Sequence, residues 1–342
     1  MKPIMKFSAL ILTSELVDKA EAAGGPARCL LTSVELDCDT LGTNGVLVRV
    51  QYSALNYKDA LAASGNRGIV RKLPLIPGID AVGTVVEPNG SGLQIGDEVL
   101  IAHAKFGTSH HGGLSSLARV PADWLVKLPV GLSAAEAAIW GTAGFTAAQS
   151  VRQLLNHGIS PESGEILVTG ATGGVGVFAV QLLAKLGFSV TAATGKRERY
   201  DQLLKLGAEK VVPREEILDL SDSPLSKSRW AGVVDCVGGT TLNSAIRATQ
   251  AGGCVTACGL VAGHELELTV YPFILRGIAL CGIDSANVSQ KYRQELWSVI
   301  ASDWRLDVQD VSKEIGLLQV PDQIENLLKG LAFGRTLVQI PE

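Results

Sequence analysis

Four consecutive polar residues could together handle a proton and a carbonyl oxygen. Asn56, Tyr57, Lys58 and Asp59 lie within LNYKDALAASG, and apolar or small residues flank them on both sides. An amide or a phenol can donate to an oxygen that becomes negative, and a carboxylate can relay a proton through water. Asn56, Tyr57 and Asp59 are therefore the predicted catalytic residues. A helix-start acid that interacts with the helix dipole is the other interpretation of Asp59, and the sequence leaves both open.

A second candidate site is a glycine-rich turn between an apolar strand and an apolar-faced helix. The segment EILVTGATGGVGVFAVQLLAKLGFSVTAAT places Gly173 and Gly176 at the spacing of G-x-G-x-x-G, with Ala171 in the first position. Such a turn is tight, lets its backbone approach a pyrophosphate, and presents the N–H groups of a helix N-terminus. In this strand–turn–helix–strand context the pattern predicts a dinucleotide site. A glycine turn without a ligand is the alternative.

The residues after the second strand of that segment indicate which dinucleotide binds. NAD-binding versions usually carry an acid there, about 20 residues after the turn. The sequence instead reads Thr194-Gly195-Lys196-Arg197-Glu198-Arg199, with three cations before the next helix. Cations are disfavoured at a helix N-terminus, and a ribose 2′-phosphate would offset that conflict. NADPH is therefore the predicted cofactor, with a solvated basic turn as the alternative.

The segments that must position these residues show two kinds of sequence pattern. The first third contains short β-type runs, GVLVRVQYSAL, DAVGTVVE, GDEVLIA and SLARVP, which are typical of a largely antiparallel domain. From LSAAEAAIWGTAGFTAAQSVRQLL onward, helical patterns alternate with short apolar strands, which predicts a parallel, doubly wound sheet. Near the end, IENLLKG is predicted as a helix and GRTLVQI as a strand that rejoins the first domain.

Composition narrows the function classes. The chain has 342 residues, of which 46% are hydrophobic, enough to bury two cores. A formal net charge of -4 gives no reason to expect nucleic acid or an anionic membrane as a partner. The six cysteines form no C-x-x-C pair and most lie in apolar runs, which favours small buried residues over zinc ligands. The N-terminal FSALIL is too short to span a membrane and lacks a signal-peptide pattern, so a cytoplasmic, reducing location is expected.

Several segments together resemble the medium-chain dehydrogenase/reductase superfamily. ATGGVG and GTAGFTA are similar to the superfamily at large, whereas NYKD, PGID, GGLSSLARVP, PFILRGIALCGIDS and GRTLVQI resemble its quinone-oxidoreductase-like group, which contains acryloyl-CoA reductases. The resemblance covers essentially the whole chain. It implies an α/β fold: a Rossmann doubly wound parallel sheet domain (131–299, NADP-binding) and a β-rich GroES-like catalytic domain (1–130 with 300–342). It also implies a homodimer, formed through an edge strand near Ile278–Ile283.

Departures from zinc-dependent relatives shape the expected activity. Zinc-dependent alcohol dehydrogenases of this superfamily place a Cys ligand at the NYKD segment and a His-Glu pair at Ile79-Asp80, and their four-cysteine lobe is missing here. The resemblance therefore implies an enzyme without metal that adds hydride to a carbon–carbon double bond conjugated to a carbonyl. The expected reaction is NADPH-dependent reduction of a short 2-enoyl thioester, acryloyl-CoA to propanoyl-CoA. A quinone or enone reductase of the same fold and a non-catalytic NADPH-binding protein remain alternatives.

The resemblance also assigns residues to cofactor and substrate. Arg214 in VVPREE is a planar cation suited to adenine or phosphate, or else a surface charge beside Glu215. Arg67 and Arg71 belong to a basic loop that either meets the phosphates of a coenzyme A thioester or is simply solvated. His110 would line the substrate mouth, as a histidine does in relatives. The predicted cofactor contacts are Tyr57, Thr142, Gly173, Gly174, Val175, Gly176, Thr194, Gly195, Lys196, Arg199, Arg214, Leu260, Ile274 and Ser285.

Overall fold

A computed structural model of the protein describes residues 5–13 and 30–341. Contacts between Cα atoms divide it into two compact units. The described residues of Met1–Thr142, Ala286–Ser302 and Asp307–Glu342 form unit 1. Ala143–Ser285 and Asp303–Leu306 form unit 2.

Unit 1 consists mainly of antiparallel β-structure. Its strands are β1 (Lys6–Thr13), β2 (Leu30–Asp37), β3 (Val46–Leu55), β4 (Ala81–Glu87), β5 (Glu98–Ile101), β6 (Leu117–Val120), β7 (Leu125–Lys127), β14 (Ser312–Gly316) and β15 (Arg335–Gln339). β1 and β2 pair with each other, and the other seven form one sheet in the order β14-β15-β3-β4-β5-β7, with β6 beside β3. The predicted C-terminal strand is confirmed, because β15 pairs antiparallel with β3.

Among the residues that the structure describes, the α-helical segments of unit 1 are α1 (Tyr57–Ala63), the start of α2 (Ala134–Asn156), α7 (Gln290–Ala301) and α8 (Val320–Leu328). α1 packs against α8. The core of unit 1 is apolar and closed to solvent. Val48, Ile101 and Val338, which belong to it, have exposed fractions of 0–2%. Burial of this kind is the main favourable term that holds the loops of the unit in place.

Unit 2 has the predicted Rossmann architecture. All six strands are parallel: β8 (Ile166–Thr169), β9 (Val190–Thr194), β10 (Lys210–Pro213), β11 (Trp230–Asp235), β12 (Thr249–Ala257) and β13 (Ala279–Gly282). Their order is β10-β9-β8-β11-β12-β13. The helices are α3 (Gly174–Lys185), α4 (Tyr200–Lys205), α5 (Gly239–Arg247), α6 (Tyr271–Arg276) and the rest of α2. Strands covered by helices on both faces read as continuous apolar runs, which explains why the central strands were predictable.

The long helix α2 contains one non-helical residue. Gly141 has φ 44° and ψ −152°, so the backbone breaks there. A Cβ atom at this position would lie 2.4 Å from Oδ2 of Asp80, which only glycine avoids. The break therefore lets the helix approach the carboxylate described below.

None of the helices within the described residues has the length and apolar character that a bilayer crossing would require.

Candidate active site

A buried carboxylate in unit 1 accepts four hydrogen bonds. Asp80, just before β4, is 3% exposed. Its Oδ1 accepts from the backbone N–H and the hydroxyl of Thr142 at 2.9 and 2.6 Å. Its Oδ2 accepts from Nδ2 of Asn56 at 2.8 Å and from the guanidinium of Arg335 at 3.1 Å. Because a carboxylate has about four acceptor sites, these donors saturate it.

Arg335 ties two distant segments of the chain to that carboxylate. The residue is 2% exposed. Its Nε donates to the carbonyl of Ile139 at 2.8 Å, just before the break in α2. Another guanidinium nitrogen donates to the carbonyl of Leu55 at 2.8 Å and to Oδ1 of Asn56 at 3.0 Å. Burial lowers the pKa of the guanidinium, and the negative charge of Asp80 opposes that change, so the side chain stays charged.

Asn56 lies at the start of α1 with its carboxamide held by this cluster. Nδ2 donates to the carbonyl of Ala54 at 3.1 Å as well as to Asp80, while Oδ1 accepts from Arg335. These contacts fix which end of the amide faces which partner. Oδ1 can accept one more hydrogen bond, but both N–H groups of the amide are already used. The geometry therefore favours a positioning role, and the catalytic assignment of Asn56 stays a prediction.

Asp59 has the helix-start geometry that was one of its two interpretations. Its Oδ2 accepts from the backbone N–H of Asn56 at 2.8 Å, and its Oδ1 accepts from the N–H of Ile79 at 3.0 Å. The residue is fully buried. Burial raises the pKa of its carboxyl from 3.8 to about 7, the charge of Asp80 adds to the increase, and the two N–H donors oppose it. A carboxyl with no exposed surface acts through its neighbours, so its catalytic assignment also stays a prediction.

Tyr57 is the first residue of α1, directly beside that cluster. It is 37% exposed, whereas Asp59 is closed off entirely. Of the three predicted catalytic residues, Tyr57 presents the most exposed surface, and a phenol can donate or accept a hydrogen bond. It is therefore the member of the trio best placed to reach a ligand directly.

The predicted substrate residues lie in two loops of unit 1. Arg67 and Arg71 are exposed in the segment after α1. His110 is half-buried, with Nδ1 3.0 Å from the carbonyl of His111 and its ring edge-on to Trp124. The sequence reasoning overlooked His103, which stacks on the same Trp124 with the two ring centroids 4.0 Å apart. The substrate assignments stay predictions.

The glycine turn of unit 2 has a shape that fits a pyrophosphate. Gly170 has φ +59°, and a Cβ on Gly176 would lie 2.4 Å from the carbonyl oxygen of Gly170. The helix can therefore approach the strand this closely only with glycine at position 176. Gly173 is the exposed residue before α3, and a Cβ there would meet the same oxygen at a milder 3.3 Å. The first N–H groups of α3, on Gly174 and Val175, point outward as donors without a partner inside the helix.

Beyond the second strand of unit 2, two predicted cofactor residues touch. The guanidinium of Arg214 lies over Gly195, because a Cβ on Gly195 would be 2.9 Å from it. Arg214 also contacts Glu215 at 3.2 Å, so part of its charge is already met. Thr194 closes β9, and its hydroxyl accepts from the N–H of Lys196 at 3.2 Å. Gly195 thus sits beneath a planar cation, and the assignment of Arg214 to an adenine or phosphate contact stays a prediction.

The remaining cations follow in a short helical turn. Arg197–Arg199 form a 3₁₀ turn, and α4 begins only at Tyr200. α4 has only six residues, so its dipole is a weak reason to expect an anion here. The density of cations is the stronger reason. Burial lowers the pKa of Lys196, the charge of Glu198 opposes that change, and the charge of Arg199 adds to it. An anion placed here would relieve that repulsion.

The last three predicted cofactor residues also belong to unit 2. The hydroxyl of Ser285 accepts from that of Thr146 at 2.8 Å. Leu260 and Ile274 are 60% and 68% exposed, and they belong to a run of exposed apolar residues beside the edge strand β13. That run comprises Leu260, Val261, Leu266, Val270, Tyr271, Ile274 and Leu275.

The sequence reasoning missed the residues that organise unit 1. Asp80 was noted within PGID and as the place of a His-Glu pair in zinc-dependent relatives, Arg335 only within GRTLVQI, and Gly141 only within GTAGFTA. A signal was available: each charged residue stands in an otherwise apolar or small strand segment, where a charge is tolerated only with a partner. Pairing position 80 with position 335 needed the fold.

Comparison with known proteins places the chain among oxidoreductases. Residues 42–130 match the family described as the alcohol dehydrogenase GroES-like domain, and residues 174–302 match the zinc-binding dehydrogenase family. YhfP of Bacillus subtilis (strain 168), named as a candidate quinone oxidoreductase, is 47% identical over 89% of this chain and 93% of its own. Acrylyl-CoA reductase AcuI of Ruegeria pomeroyi is 41% identical over 98% of this chain and 99% of its own.

Solved structures agree with the fold described above. The yhdH oxidoreductase of Salmonella enterica, determined in complex with NADP, superposes with a TM-score of 0.92, at 41% identity over 98% of this chain and 100% of that one. The yhfP protein of Bacillus subtilis, determined with NAD bound, gives a TM-score of 0.90 at 44% identity, over 98% of this chain and 99% of that one.

Proposed function

Because the chain belongs to the quinone-oxidoreductase-like group of the medium-chain dehydrogenase/reductase superfamily, which includes acryloyl-CoA reductases, we propose that it reduces a short 2-enoyl thioester with NADPH. The chain is an NADP-dependent oxidoreductase, and the similar yhdH oxidoreductase of Salmonella enterica was determined in complex with NADP. The proposed substrate is acryloyl-CoA and the proposed product propanoyl-CoA. The similarity to acrylyl-CoA reductase AcuI along nearly all of both chains supports this choice.

One observation carries the proposed chemistry: Asp80 is saturated by four donors and paired with Arg335. Zinc-dependent members of the superfamily place a His-Glu pair at Ile79-Asp80 and a Cys ligand at the NYKD segment. Here Asn56, from that segment, donates directly to Asp80, so the oxygens of Asp80 are committed to protein donors. Such a pair would rigidly orient α1 rather than polarise a substrate oxygen. This favours conjugate reduction, in which no alcohol or carbonyl oxygen needs a metal.

NADPH would supply the hydride to the β-carbon of the enoyl group. The chain's own part is to hold the substrate carbonyl, to stabilise the negative charge that develops on its oxygen, and to deliver a proton to the α-carbon. Tyr57 is proposed as the donor, because its phenol stands at the exposed end of α1. Asn56 and Asp59 are proposed to position that helix start, through the hydrogen bonds from Asn56 to Asp80 and Asp59.

Most of the proposed cofactor contacts are in unit 2, whereas Tyr57 and Thr142 belong to unit 1. The turn Gly173–Gly176 would accept the pyrophosphate at the start of α3. Lys196 and Arg199 would meet the 2′-phosphate, and Arg214 above Gly195 would meet the adenine or the same phosphate. Thr142, Leu260, Ile274 and Ser285 complete the proposed set. The proposed domain limits remain 1–130 with 300–342 and 131–299.

A homodimer is also proposed. β13 is the edge strand of the parallel sheet, so its outer backbone groups are available for pairing. The exposed apolar residues between Leu260 and Leu275 lie in the chain segment just before it. An unpaired edge next to an apolar surface is typical of a symmetric protein–protein contact.

A substrate panel tests the proposed reaction. Oxidation of NADPH is followed with acryloyl-CoA, longer 2-enoyl-CoA thioesters, small quinones and simple enones, and kcat/KM is compared. The proposal expects the highest value for acryloyl-CoA. Quinone reduction is the second candidate, favoured by the similarity to YhfP, and equal or higher values for quinones would establish it instead. NADPH binding without turnover of any member would point to a non-catalytic binding protein.

The Tyr57→Phe variant tests the proposed proton donor. Loss of a general acid typically costs about 10²–10⁴-fold in rate, so kcat should fall by that order while NADPH affinity changes little. Tyr52→Phe, on β3 of the same unit, is the matched control and should keep its rate. Unchanged kinetics in Tyr57→Phe would remove the phenol from the mechanism.

A further inference from the structure

Two of the cysteines in unit 2 face each other across neighbouring parallel strands. β11 and β12 are in register with Asp235 opposite Ala257. The ladder continues one residue further, because the N–H of Cys258 donates to the carbonyl of Asp235 at 3.0 Å. Cys236 is therefore level with Cys258, and their sulfur atoms are 3.8 Å apart. Both residues keep some exposed surface.

This placement matches the geometry of a disulfide. Neighbouring strands are about 4.8 Å apart, and bridged cysteines have Cα atoms roughly 4.4–6.8 Å apart. The sulfur atoms would need to approach by a further distance of about 1.8 Å to reach bonding length. Rotation of the two side chains can supply that movement, with no change in strand pairing.

A second pair in the same sheet provides an internal contrast. The sulfur atoms of Cys254 and Cys281 are 4.0 Å apart, nearly as close. Their strands β12 and β13 pair Cys254 with Ala279 and Thr256 with Cys281, so the two cysteines are diagonal neighbours. Two residues along a strand cover about 6.6 Å, which places their Cα atoms roughly 8 Å apart, outside the range of a disulfide.

We infer that Cys236 and Cys258 form a reversible dithiol–disulfide site that a small-molecule disulfide can close and a small thiol can reopen. The thiolate of Cys258 attacks one sulfur of the small disulfide and expels the first thiolate, which takes up the proton that Cys258 lost. Cys236 then loses its proton and attacks the Cys258 sulfur of the mixed disulfide, expelling the second thiolate. The protein loses two electrons and two protons, and the small disulfide becomes two thiols.

The order of attack follows from the surroundings of the two thiols. The sulfur of Cys258 lies 3.8 Å from that of Cys236 and 3.2 Å from the carbonyl oxygen of Asp235, which can accept its S–H. The pKa of Cys236 is raised well above its usual range, first by its hydrogen bond with Cys258, then by burial and by the charge of a Cys258 thiolate. Cys236 is therefore the poorer first nucleophile. Once Cys258 carries a mixed disulfide, this hydrogen bond and this charge are gone. Two causes of the raised pKa then disappear, and Cys236 becomes able to resolve the intermediate.

Closing the pair would reach the proposed cofactor turn. A Cβ on Gly170 would lie 3.4 Å from Cβ of Cys236, so this cysteine packs directly on the turn. Cys236 is also in close contact with Gly259: a Cβ on Gly259 would lie 2.0 Å from the carbonyl oxygen of Cys236, so the two backbones have no room to approach further. Leu260, a proposed cofactor contact, follows at once. This consequence rests on the proposed NADPH function, whereas the disulfide itself does not.

The test uses the full chain, first reduced and then incubated with glutathione disulfide. Free thiols are blocked, and the linked peptides are identified by mass spectrometry after digestion. The expected result is a Cys236–Cys258 cross-link that reduced glutathione removes. Cys254→Ser and Cys281→Ser should form it as the wild type does. A cross-link between Cys254 and Cys281 in the wild type, or no cross-link at all, would overturn the inference.

Two serine variants test the order of attack. Cys236→Ser should accumulate glutathione on Cys258, because nothing resolves the mixed disulfide. Cys258→Ser should take up little glutathione at Cys236. The reverse pattern would contradict the assignment of Cys258 as the first nucleophile.

Fluorescence titration with NADPH tests whether closing the disulfide weakens cofactor binding. The oxidised wild type is expected to bind a few-fold more weakly than the reduced protein, whereas Cys258→Ser, which takes up little glutathione, should be insensitive to the treatment. Equal affinities of oxidised and reduced protein would remove the link to the turn. If the reduced protein bound no NADPH, the proposed function would fail while the cross-link result still stood.

Discussion

The two candidate sites of this protein are built in opposite ways. The cluster in unit 1 joins residues that are far apart in sequence, Asn56, Asp80 and Arg335, through buried charges. The turn in unit 2 is local, since Gly170 and Gly176 meet within one strand–turn–helix segment. A local site depends on which residues lack a side chain, whereas a distributed site depends on the balance of charges that water cannot reach.

The largest expected effect comes from removing the cation of the distributed site. Arg335→Met leaves Asp80 buried without its ionic partner, which should lower the free energy of unfolding by about 3–5 kcal/mol. Urea denaturation measures it. Arg119→Met is the matched control: Arg119 is 6% exposed, but the side chain of its partner Glu87 is 47% exposed and can return to water. Its loss should therefore cost less.

A double variant sharpens this prediction. Adding Asp80→Asn to Arg335→Met removes the uncompensated charge and should recover part of the lost stability. If Arg119→Met and Arg335→Met were equally destabilising, burial of the partner would not be the deciding factor, and the contrast between the two sites would fail.

The next effect concerns the proton on Asp59. Its folded pKa of about 7 lies above the ordinary value of 3.8, so the folded state holds a proton that the unfolded state releases. The stability from this group is complete below pH 4 and is lost as the pH rises towards 7, by about 4 kcal/mol in total. Asp59→Asn cannot ionise. The variant should therefore gain stability relative to the wild type as the pH rises from 4 to 7.5.

Chemical denaturation across that pH range measures the difference between the two proteins. Asp201→Asn, at an exposed position of α4, is the control that removes a carboxyl from the surface instead of the interior. A flat difference for Asp59→Asn would mean that Asp59 titrates as an ordinary carboxyl.

In the local site, two glycine substitutions should separate stability from binding. Gly176→Ala forces a methyl group against the carbonyl of Gly170 and should cost about 1–3 kcal/mol of stability, with loss of NADPH binding. Gly173→Ala meets the same atom at 3.3 Å and should remain nearly as stable as the wild type. Its methyl group stands where the pyrophosphate would approach, so binding should still fall.

Thermal unfolding measures the stability of both variants, and titration with NADPH measures their cofactor affinity. Normal NADPH affinity in Gly173→Ala would show that the cofactor does not approach this turn, and the glycine turn would then be purely structural.

The smallest expected effect is in the choice between two cofactors. Lys196→Ala with Arg199→Ala removes two charge-assisted contacts and should weaken NADPH by roughly 2 kcal/mol, or about 30-fold, while NADH affinity is nearly unchanged. Lys185→Ala, an exposed lysine at the end of α3, should affect neither. An equal loss of NADPH and NADH would refute the phosphate assignment.

Much of unit 2 could be predicted because its information is local. The run EILVTG became β8, SVTAAT became β9, and the glycines between them formed the expected turn before α3. Two-sided burial makes such strands continuously apolar, and a tight turn next to a helix requires glycine. The antiparallel runs of unit 1, such as DAVGTVVE, also formed strands as predicted.

The interior of unit 1 could not be predicted in the same way. LNYKDALAASG indicated a polar helix start, and α1 begins there. Nothing local to it, however, shows that Asn56 is held by Asp80 and Arg335, or that Asp59 is fully buried with a raised pKa.

The sequence by itself determined the fold class, the glycine turn and the family, because these depend on periodicity, on residues without side chains and on recognisable motifs. Only the tertiary structure decided which charges meet in unit 1 and that Cys236 stands level with Cys258. The physical reason is that both facts follow from strand pairing. The return of β15 to β3 brings Arg335 to Leu55, and the register of β11 with β12 sets the two sulfur atoms side by side.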